Sequence, residues 1–442
     1  MKEHVLKERN IHLDNSFDVI VAGGGPAGCT AAAAAAREGA NTLLIEATGA
    51  LGGMGTSGMV PAWCPFTDKE RIVYGGMAEH ILKQGIAAMP HVPETKLDWT
   101  PIDAELLKRL YDDLVTQQGA TVLFHTFLTA VDRDDQGRTM LVVANKAGLS
   151  AFKAPVYVDA TGDADLAAWA GAEYEKGDET GDLQPATHCF SLGNVDMYAY
   201  QYCGGIKYSP HGRAIDKIVA SGKYPDIPDH HACNNIVGPG CIGFNAGHIW
   251  DVDNTDPFSV SRGLMQGRKI AKAFRDACAE FFPEAFANAH LNQTGALLGI
   301  RETRRIRGDY CLTVEDFIAR RSFPDEIARN CYYIDVHHKL DEIGTDKEGG
   351  STALHLKKGE SHGIPYRCLT PRGLNDVLVA GRSISTDRVV QGSTRVMPVC
   401  LCMGEAAGIA AAMAAAQHTV DIHAVDTDDL RNRLRRHGAY LP

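Results

Sequence analysis

Residues 17–46 have the sequence FDVIVAGGGPAGCTAAAAAAREGANTLLIE. The run Phe17–Ala22 is apolar and β-branched, which predicts a buried parallel strand. The small residues from Gly28 to about Glu38 predict a helix, and Thr42–Ile45 predicts a second buried strand. This order of strand, helix and strand is one βαβ unit, which is typical of an α/β fold with a parallel sheet.

A glycine motif joins the first strand to the helix. It contains Gly23, Gly25 and Gly28, with Pro26 and Ala27 before the last glycine. The first glycine permits a tight turn, the second lets the backbone approach a diphosphate, and the third permits close packing of helix and strand. Because free N–H groups and the helix dipole favour negative charge there, these residues are expected to bind a dinucleotide at the helix N-terminus.

The residues after the second strand indicate which dinucleotide is bound. Glu46 ends that strand, near the spacing of about 20 residues at which an acid binds the adenosine ribose hydroxyls. The glycine motif and this acid suit NAD and FAD equally. The loop Gly49–Gly58 (GALGGMGTSG), with Gly53, Met54 and Thr56, is able to wrap the far half of a longer cofactor, which favours FAD.

The rest of the chain predicts a discontinuous domain. Thr121–Asp159 shows period-two alternation interrupted by turns, which predicts a β-meander that ends in a strand over Ala154–Ala160. A further strand is predicted at Val377–Ala380. We therefore expect an α/β, Rossmann-like FAD-binding domain, with a parallel sheet and a β-meander, formed by residues 1–172 and 367–442, and an inserted α+β substrate domain at 173–366.

Five segments carry a resemblance to a known family: GGGPAG (23–28), IEA (45–47), DATGDADLAAWAGA (159–172), GIRETRRIRGDY (299–310) and VAGRSIS…GSTRVMPVCLCMGEAAGIAAA (379–412). The chain resembles the glutathione-reductase-type FAD flavoproteins. Within them it is most similar to the FAD-dependent oxidoreductase family that is distantly related to the succinate dehydrogenase and fumarate reductase flavoproteins. The resemblance implies one FAD, bound without a covalent link, although attachment through a His or Cys occurs in the superfamily.

The resemblance also implies which further residues approach FAD. The helix that would begin at Gly404 is expected to aim its N-terminus at the pyrimidine edge of the flavin, where reduction places negative charge. Arg395 either adds positive charge at that edge or forms a structural salt bridge. The full implied set is Ala160, Thr161, Gly162, Asp163, Gly381, Arg382, Arg395, Gly404, Glu405, Ala406 and Ala407.

An arginine-rich stretch, RETRRIR (301–307), is the candidate substrate site. Arginine's planar fork suits bidentate binding of a carboxylate. In an extended chain Arg301, Arg305 and Arg307 would share one face, opposite Arg304. We expect Arg301 and Arg304 to hold a substrate carboxylate. The alternative is a set of solvated or domain-bridging ion pairs.

Two histidine sites are candidates for general acid or base, because imidazole titrates near neutral pH. They are His337, together with its neighbour His338, and His248. The alternative for each is a hydrogen-bonded structural role.

Composition limits the class of partner and the location. Lys and Arg total 44 against 55 Asp and Glu, a net charge of −11, which opposes binding to nucleic acid or an anionic membrane. The twelve cysteines include no CxxC pair, so no metal or cluster site is expected. The charged N-terminus lacks the apolar core of a targeting segment, and no long apolar run is visible. We expect a cytoplasmic protein without membrane insertion.

These observations predict an FAD-dependent oxidoreductase: a dehydrogenase, oxidase or reductase. It would exchange a hydride between flavin N5 and a small organic substrate, with a carboxylate-bearing substrate as the hypothesis. A second nucleotide motif is missing, so the electron partner is a substrate, a quinone, oxygen or another protein. The alternatives are an RNA-modifying flavoprotein, which the acidic charge opposes, and a protein in which FAD has no redox role.

Overall fold

The structure is a computed structural model that describes residues 10–134, 137–203, 214–337 and 354–442. His338 lies outside the described residues. The strands, in chain order, are β1 (His12–Asp14), β2 (Val19–Ala22), β3 (Thr42–Ile45), β4 (Thr121–Leu123), β5 (Phe127–Arg133), β6 (Thr139–Asn145), β7 (Gly148–Phe152), β8 (Val156–Asp159), β9 (Tyr174–Lys176), β10 (Ala186–Thr187), β11 (Phe190–Gly193), β12 (Ala232–Gly238), β13 (Cys241–Ala246), β14 (His248–Ile249), β15 (His290–Thr294), β16 (Arg304–Ile306), β17 (Glu326–Asn330), β18 (His362–Pro365) and β19 (Val377–Val379).

The α-helices are α1 (Pro26–Arg37), α2 (Met77–Ala88), α3 (Ala104–Gln117), α4 (Asp165–Trp169), α5 (Met197–Tyr202), α6 (Ala214–Ser221), α7 (Pro257–Phe281), α8 (Pro283–Phe286), α9 (Val314–Ile318), α10 (Arg388–Thr394), α11 (Met397–Ala415) and α12 (Thr427–Arg436).

A five-stranded parallel sheet, in the order β19-β8-β2-β3-β4, lies at the centre of the first unit. Its strands β2, β3 and β8 are fully buried, which confirms the strands predicted from the apolar runs. In the register, Ala22 pairs with both Ile45 and Asp159. The carboxyl ends of the three strands therefore align, so Gly23, Glu46 and the segment after β8 meet at one edge of the sheet.

The predicted meander forms a second sheet in the order β1-β7-β6-β5. Strands β5, β6 and β7 are antiparallel neighbours, and β1 adds in parallel to β7. Together, the parallel sheet and the meander confirm the mixed α/β fold with its Rossmann-like βαβ unit.

A third sheet, antiparallel in the order β12-β13-β11-β15, belongs to a separate core. That core runs from Ala186 to Ile300 and includes the inner face of α7. Residues such as Leu312, Phe317 and Tyr366 instead pack in the core of the first unit. The domain boundaries remain a prediction, and the packing favours a return to the first unit soon after Ile300 rather than at residue 366.

Helix α11 packs directly on α1, and glycines make the close approach possible. A Cβ added at Gly404 would lie 2.0 Å from the carbonyl oxygen of Ala27, and one added at Gly408 would lie 2.1 Å from that of Ala31. Thr30 Oγ1 also donates to the carbonyl oxygen of Leu401 at 2.8 Å. Among the described residues α11 alone is long and apolar enough to cross a membrane, but it is mostly buried inside this unit.

The glycine contact predicts the effect of a single methyl group. We expect Gly408→Ala to lower the free energy of unfolding by about 1–3 kcal/mol, because the added Cβ overpacks the α1–α11 interface. The measurement is the urea midpoint followed by circular dichroism. The matched control is Gly85→Ala in α2, where an added Cβ meets nothing within 4 Å, and which should gain up to about 1 kcal/mol from helix propensity. A Gly408→Ala protein as stable as the wild type would contradict the packing.

Candidate active site

The turn between β2 and α1 opens the helix N-terminus toward a large cavity. Gly23 has φ +97°, and a Cβ there would lie 2.4 Å from the carbonyl oxygen of Ala160. At Gly28 a Cβ would lie 1.7 Å from the carbonyl oxygen of Gly23, so only glycine lets helix and strands pack this closely. Gly25 caps α1 without a side-chain hydrogen bond, and Pro26 follows it in the first turn. The first-turn amides therefore have no acceptor within the helix.

The cavity has a volume of about 2030 Å³. This volume is larger than the roughly 300–1,000 Å³ of ordinary small-ligand pockets, so there is room for a dinucleotide together with a substrate. Most residues predicted to bind the cofactor line it: Gly23, Gly25, Pro26, Ala27, Glu46, Gly53, Met54, Ala160, Thr161, Gly162, Asp163, Gly381, Arg382 and Arg395.

Six predicted binders lie outside the lining: Gly28, Thr56 and residues 404–407. The first two have structural roles near the glycine motif. Gly28 does not line the cavity and serves the helix–strand contact that its position in the motif predicts. Thr56 is buried, and its hydroxyl donates to the carbonyl oxygen of Leu51 at 2.6 Å. The structure therefore places Thr56 outside the cavity lining, where its hydrogen bond shapes the glycine loop.

Glu46 faces the cavity and organises the turn. Its Oε2 accepts from the amide of Gly24 at 2.7 Å, and its Oε1 accepts from the amide of Thr48 at 2.7 Å. An ionised carboxylate offers about four lone-pair sites, so each oxygen retains capacity for a ribose hydroxyl.

The segment after β8 is held against the loop after β19. Asp163 Oδ1 accepts from Arg382 Nη2 at 2.6 Å and from Thr303 Oγ1 at 2.5 Å, and its Oδ2 accepts from Asn254 Nδ2 at 2.5 Å. The Asp159 carboxylate beneath accepts from Thr161 and from the start of α4. Burial raises the pKa of Asp159 to about 6. These contacts fix the backbone of residues 160–163 along the cavity wall.

Arg301 is the one member of the arginine stretch that lines the cavity, and among the described residues it has no ion pair within 4 Å, although the charge of Asp335 acts on it from farther away. It is 7% exposed, and its Nη1 donates to the carbonyl oxygen of Pro185 at 2.7 Å and to Thr187 Oγ1 at 2.8 Å. Burial and the charge of Arg395 lower its pKa to about 10, so it stays protonated at neutral pH.

The other arginines form ion pairs. Arg304 Nη1 contacts Asp165 Oδ1 at 2.6 Å, and Arg304 lies outside the cavity lining. For this residue the structure favours the ion-pair alternative over binding of a substrate. Arg305 pairs with Glu302 at 2.5 Å, and Arg307 pairs with a surface glutamate. Only residues 304–306 form a strand, so the predicted alternation does not extend to Arg301.

The structure brings both candidate histidines together on the cavity wall. Nδ1 of His248 lies 2.7 Å from Asp229 Oδ2, and its Nε2 lies 2.9 Å from Nδ1 of His337. The second nitrogen of His337 lies 3.3 Å from Asp335 Oδ1. His231 stacks on His248 with ring centroids 4.3 Å apart.

Burial controls the charge of this cluster. Burial and the nearby Arg301 lower the pKa of His337 to about 4, and burial also lowers the pKa of His248. Burial raises the pKa of the Asp335 carboxyl, but His337, Arg395 and Arg301 outweigh this effect and hold the pKa well below its usual range. The resting cluster at neutral pH therefore contains neutral imidazoles between charged carboxylates.

Asp229, His231 and Asp335 were not predicted from the sequence. The available signals were the triplet Asp229-His230-His231 and the alternation Asp335-Val336-His337. Each places acid and imidazole side by side, but nothing local shows that two distant segments meet.

Comparison with known proteins identifies the family of this chain. The chain matches the sequence profile of the family described as FAD dependent oxidoreductase over residues 18–434. The chain belongs to the FAD-dependent oxidoreductase family. Its cofactor is FAD, and it is an enzyme.

Several solved structures match this chain at low similarity. A geranylgeranyl bacteriochlorophyll reductase-like protein from Thermoplasma acidophilum is 13% identical, over 97% of this chain and 85% of that one, with a TM-score of 0.48. The aromatic hydroxylase CabE from angucycline biosynthesis is 12% identical, over 95% and 67%, with a TM-score of 0.45. The flavin-dependent brominase Bmp2 is 12% identical, over 95% and 83%, with a TM-score of 0.46. Nothing about substrate follows from these likenesses.

FAD fits the cavity at its polar wall. The Nε atoms of Arg382 and Arg395 are buried and have no hydrogen-bond partner within the described part of the chain. A buried donor without a partner costs about 1–3 kcal/mol, so acceptor groups of a bound cofactor would stabilise both side chains. Unlike its Nε, the Nη2 of Arg395 has a partner, since it donates to the carbonyl oxygen of Asp335 at 2.7 Å. Arg382 and Arg395 are thus the cationic residues that would hold FAD.

Helix α11 begins seven residues earlier than predicted, at Met397, and its N-cap Val396 makes no side-chain hydrogen bond. Both residues line the cavity, so the open end of α11 is directed into it. The predicted binding residues 404–407 lie in the middle of the helix and outside the cavity lining, so the structure does not place them at the cavity.

Each member of that set has a structural role. Gly404 contacts α1, and Ala406 and Ala407 are fully buried core residues. Glu405 accepts from Arg37 Nη2 at 2.9 Å and from the amide of Met77 at 2.9 Å, so its carboxylate connects α1 and α2.

Gly25 provides a test of the FAD site. Its φ of −70° suits alanine, and an added Cβ meets no protein atom within 4 Å. We expect Gly25→Ala to fold normally but to bind FAD at least about tenfold more weakly, a loss of about 1.4 kcal/mol, because the methyl group occupies the space in front of α1. The measurement is fluorescence titration of the apoprotein with FAD, with Gly85→Ala as the control. Equal affinity in the two variants would contradict a diphosphate at this position.

Proposed function

We propose that the protein exchanges a hydride between N5 of FAD and a carbon atom of a small, carboxylate-bearing organic substrate. The observation that carries the proposal is Arg301, a buried guanidinium that lines the cavity and has no ion pair within 4 Å among the described residues, although the charge of Asp335 acts on it from farther away. Burying a charge is costly unless it is paired. A substrate carboxylate would supply a direct ion-pair partner.

Hydrogen bonds hold the side chain and backbone of Arg301 in one position at the cavity. Its Nη1 is fixed by Pro185 and Thr187, and the side-chain Nε2 of Gln391 donates to the backbone carbonyl oxygen of Arg301 at 2.9 Å. The guanidinium edge that remains offers a planar pair of donors. Hydrogen bonds to a charged group contribute about 1.5–3 kcal/mol each, which is enough to orient a small acid.

FAD, when bound, supplies the two-electron redox couple through N5 of its ring. The chain's own part is to hold the substrate carbon and to move a proton. His337 and His248 line the same cavity as Arg301, and the pKa of each is lowered by burial and by Arg301. A neutral imidazole accepts a proton when the substrate is oxidised and returns one in the opposite direction.

Several expectations rest on the sequence and stay predictions. They are the distant relation to the succinate dehydrogenase and fumarate reductase flavoproteins, the cytoplasmic location, and a small-molecule partner rather than nucleic acid. The net charge of −11 supports the last of these.

Arg301→Lys tests the proposal. Lysine keeps the charge but loses the planar pair of donors, so we expect kcat/KM to fall at least about tenfold, mainly through KM, with the flavin content unchanged. The measurement is anaerobic bleaching of the flavin by a panel of carboxylic acids in parallel with their methyl esters and neutral alcohols.

The control is Arg307→Lys, because Arg307 belongs to the same stretch but pairs at the surface with Glu175 at 3.0 Å. This variant should behave as the wild type. Bleaching by esters or neutral compounds as fast as by acids, or equal kinetics in the Arg301→Lys and wild-type proteins, would reject the carboxylate proposal.

A further inference from the structure

Four side chains on the cavity wall form one continuous series of contacts, of which two are hydrogen bonds and the third is an ion-pair contact. The order is Asp229, His248, His337 and Asp335, with contacts of 2.7, 2.9 and 3.3 Å. The side-chain exposure rises along it from 7% and 10% for Asp229 and His248 to 20% for His337 and 29% for Asp335. This series of side chains therefore has a buried end at Asp229 and an end at Asp335 that is open to the cavity.

Counting protons shows what this chain can hold. With both imidazoles neutral, two ring N–H groups are shared among three contacts. In the tautomer that a relay would use, Nδ1–H of His248 donates to Asp229, and Nδ1–H of His337 donates to Nε2 of His248. Nε2 of His337 then directs a lone pair toward the Asp335 carboxylate, which is unfavourable. One added proton at that nitrogen turns this contact into a charge-assisted hydrogen bond and completes the chain.

We infer that Asp229, His248, His337 and Asp335 form a proton relay, in which His337 exchanges a proton with the substrate and His248 stores it beside Asp229. The inference rests on the proposed hydride exchange and extends it, since it turns two alternative acid–base residues into one coupled pair.

The step balances in atoms and electrons. In the oxidative direction the substrate loses a hydride to FAD and a proton to Nε2 of His337. The Nδ1 proton of His337 passes to Nε2 of His248, so His337 ends neutral and His248 becomes an imidazolium. In the reductive direction each transfer reverses.

The surrounding charges favour this end state. Arg301, Arg395 and His231 act on the cluster together with the two carboxylates. Burial and Arg301 lower the pKa of both imidazoles, and a carboxylate opposes this effect on each ring, Asp335 on His337 and Asp229 on His248. The contact between His248 and Asp229 is the shorter one, at 2.7 Å against 3.3 Å between His337 and Asp335. An imidazolium is therefore better held on His248, next to its carboxylate.

The test is a pH titration of the histidine ring nitrogens by NMR in the FAD-loaded protein with labelled histidine. In the wild type we expect the signals of His248 and His337 to move together at one midpoint below pH 6.5, because coupled groups titrate as a pair. In Asp229→Asn that shared midpoint should fall by about one pH unit or more for both rings, although Asp229 touches only His248.

The matched control is Asp216→Asn, which removes the carboxylate of a neighbouring Asp–His pair, Asp216 and His230 at 2.5 Å. Asp216→Asn should leave the shared midpoint unchanged.

Asp229 also accepts hydrogen bonds from the backbone amides of His231 and His248, so its replacement removes backbone contacts as well. His248→Gln therefore serves as a second variant, which removes the ring that is proposed to store the proton. In His248→Gln the remaining ring of the pair, His337, should titrate at a lower midpoint than the shared midpoint of the wild type. Independent titration of the two rings, or a midpoint of His337 that neither variant moves, would overturn the relay.

Trifluoroacetate, a carboxylate that stays ionised throughout the titration, separates this inference from the proposed function. Bound at Arg301, it should raise the shared midpoint in the wild type but not in Arg301→Gln. A response to Asp229→Asn without a response to trifluoroacetate keeps the relay and rejects the carboxylate site. The opposite pattern rejects the relay and keeps the carboxylate site.

Discussion

The backbone contact between the β2–α1 turn and the segment after β8 is the constraint on which the rest of the structure depends. Gly23 and Gly28 have no room for a side chain, because a Cβ at either would lie within 2.4 Å of a carbonyl oxygen. The contact places the start of α1 at the carboxyl edge of the parallel sheet. Gly404 and Gly408 then let α11 pack on α1, so two uncapped helix N-termini open into one cavity and favour negative charge there.

The sequence predicted the parts of the fold that depend on local patterns. Apolar runs bounded by glycine determine β2, α1 and β3, and alternation determines the meander. The start of α11 was misplaced because the helix is buried on nearly every side, so its residues show no polar face from which to count. The informative signal was Pro398 in the first turn, a position that proline favours.

The sequence could not show which arginine faces the cavity. Arg304 and Arg307 pair with acids of other segments, Asp165 and Glu175, and Arg305 pairs with Glu302 of its own stretch. Only tertiary packing decides that Arg301 has no ion pair within 4 Å among the described residues. The histidine cluster has the same origin, since Asp229, His248 and His337 come from three loops or short strands. The resulting site combines a cationic wall for FAD, one buried guanidinium and a pair of imidazoles that burial keeps neutral.

The most direct measurement is a crystal structure of the yellow protein as purified. We predict that the FAD diphosphate accepts hydrogen bonds from amides at the start of α1, and that the flavin ring lies beside Met397 at the start of α11, with Arg301 and His337 facing it across the remaining cavity. A diphosphate bound away from α1, or a ring that lies outside the cavity, would contradict this account of the site.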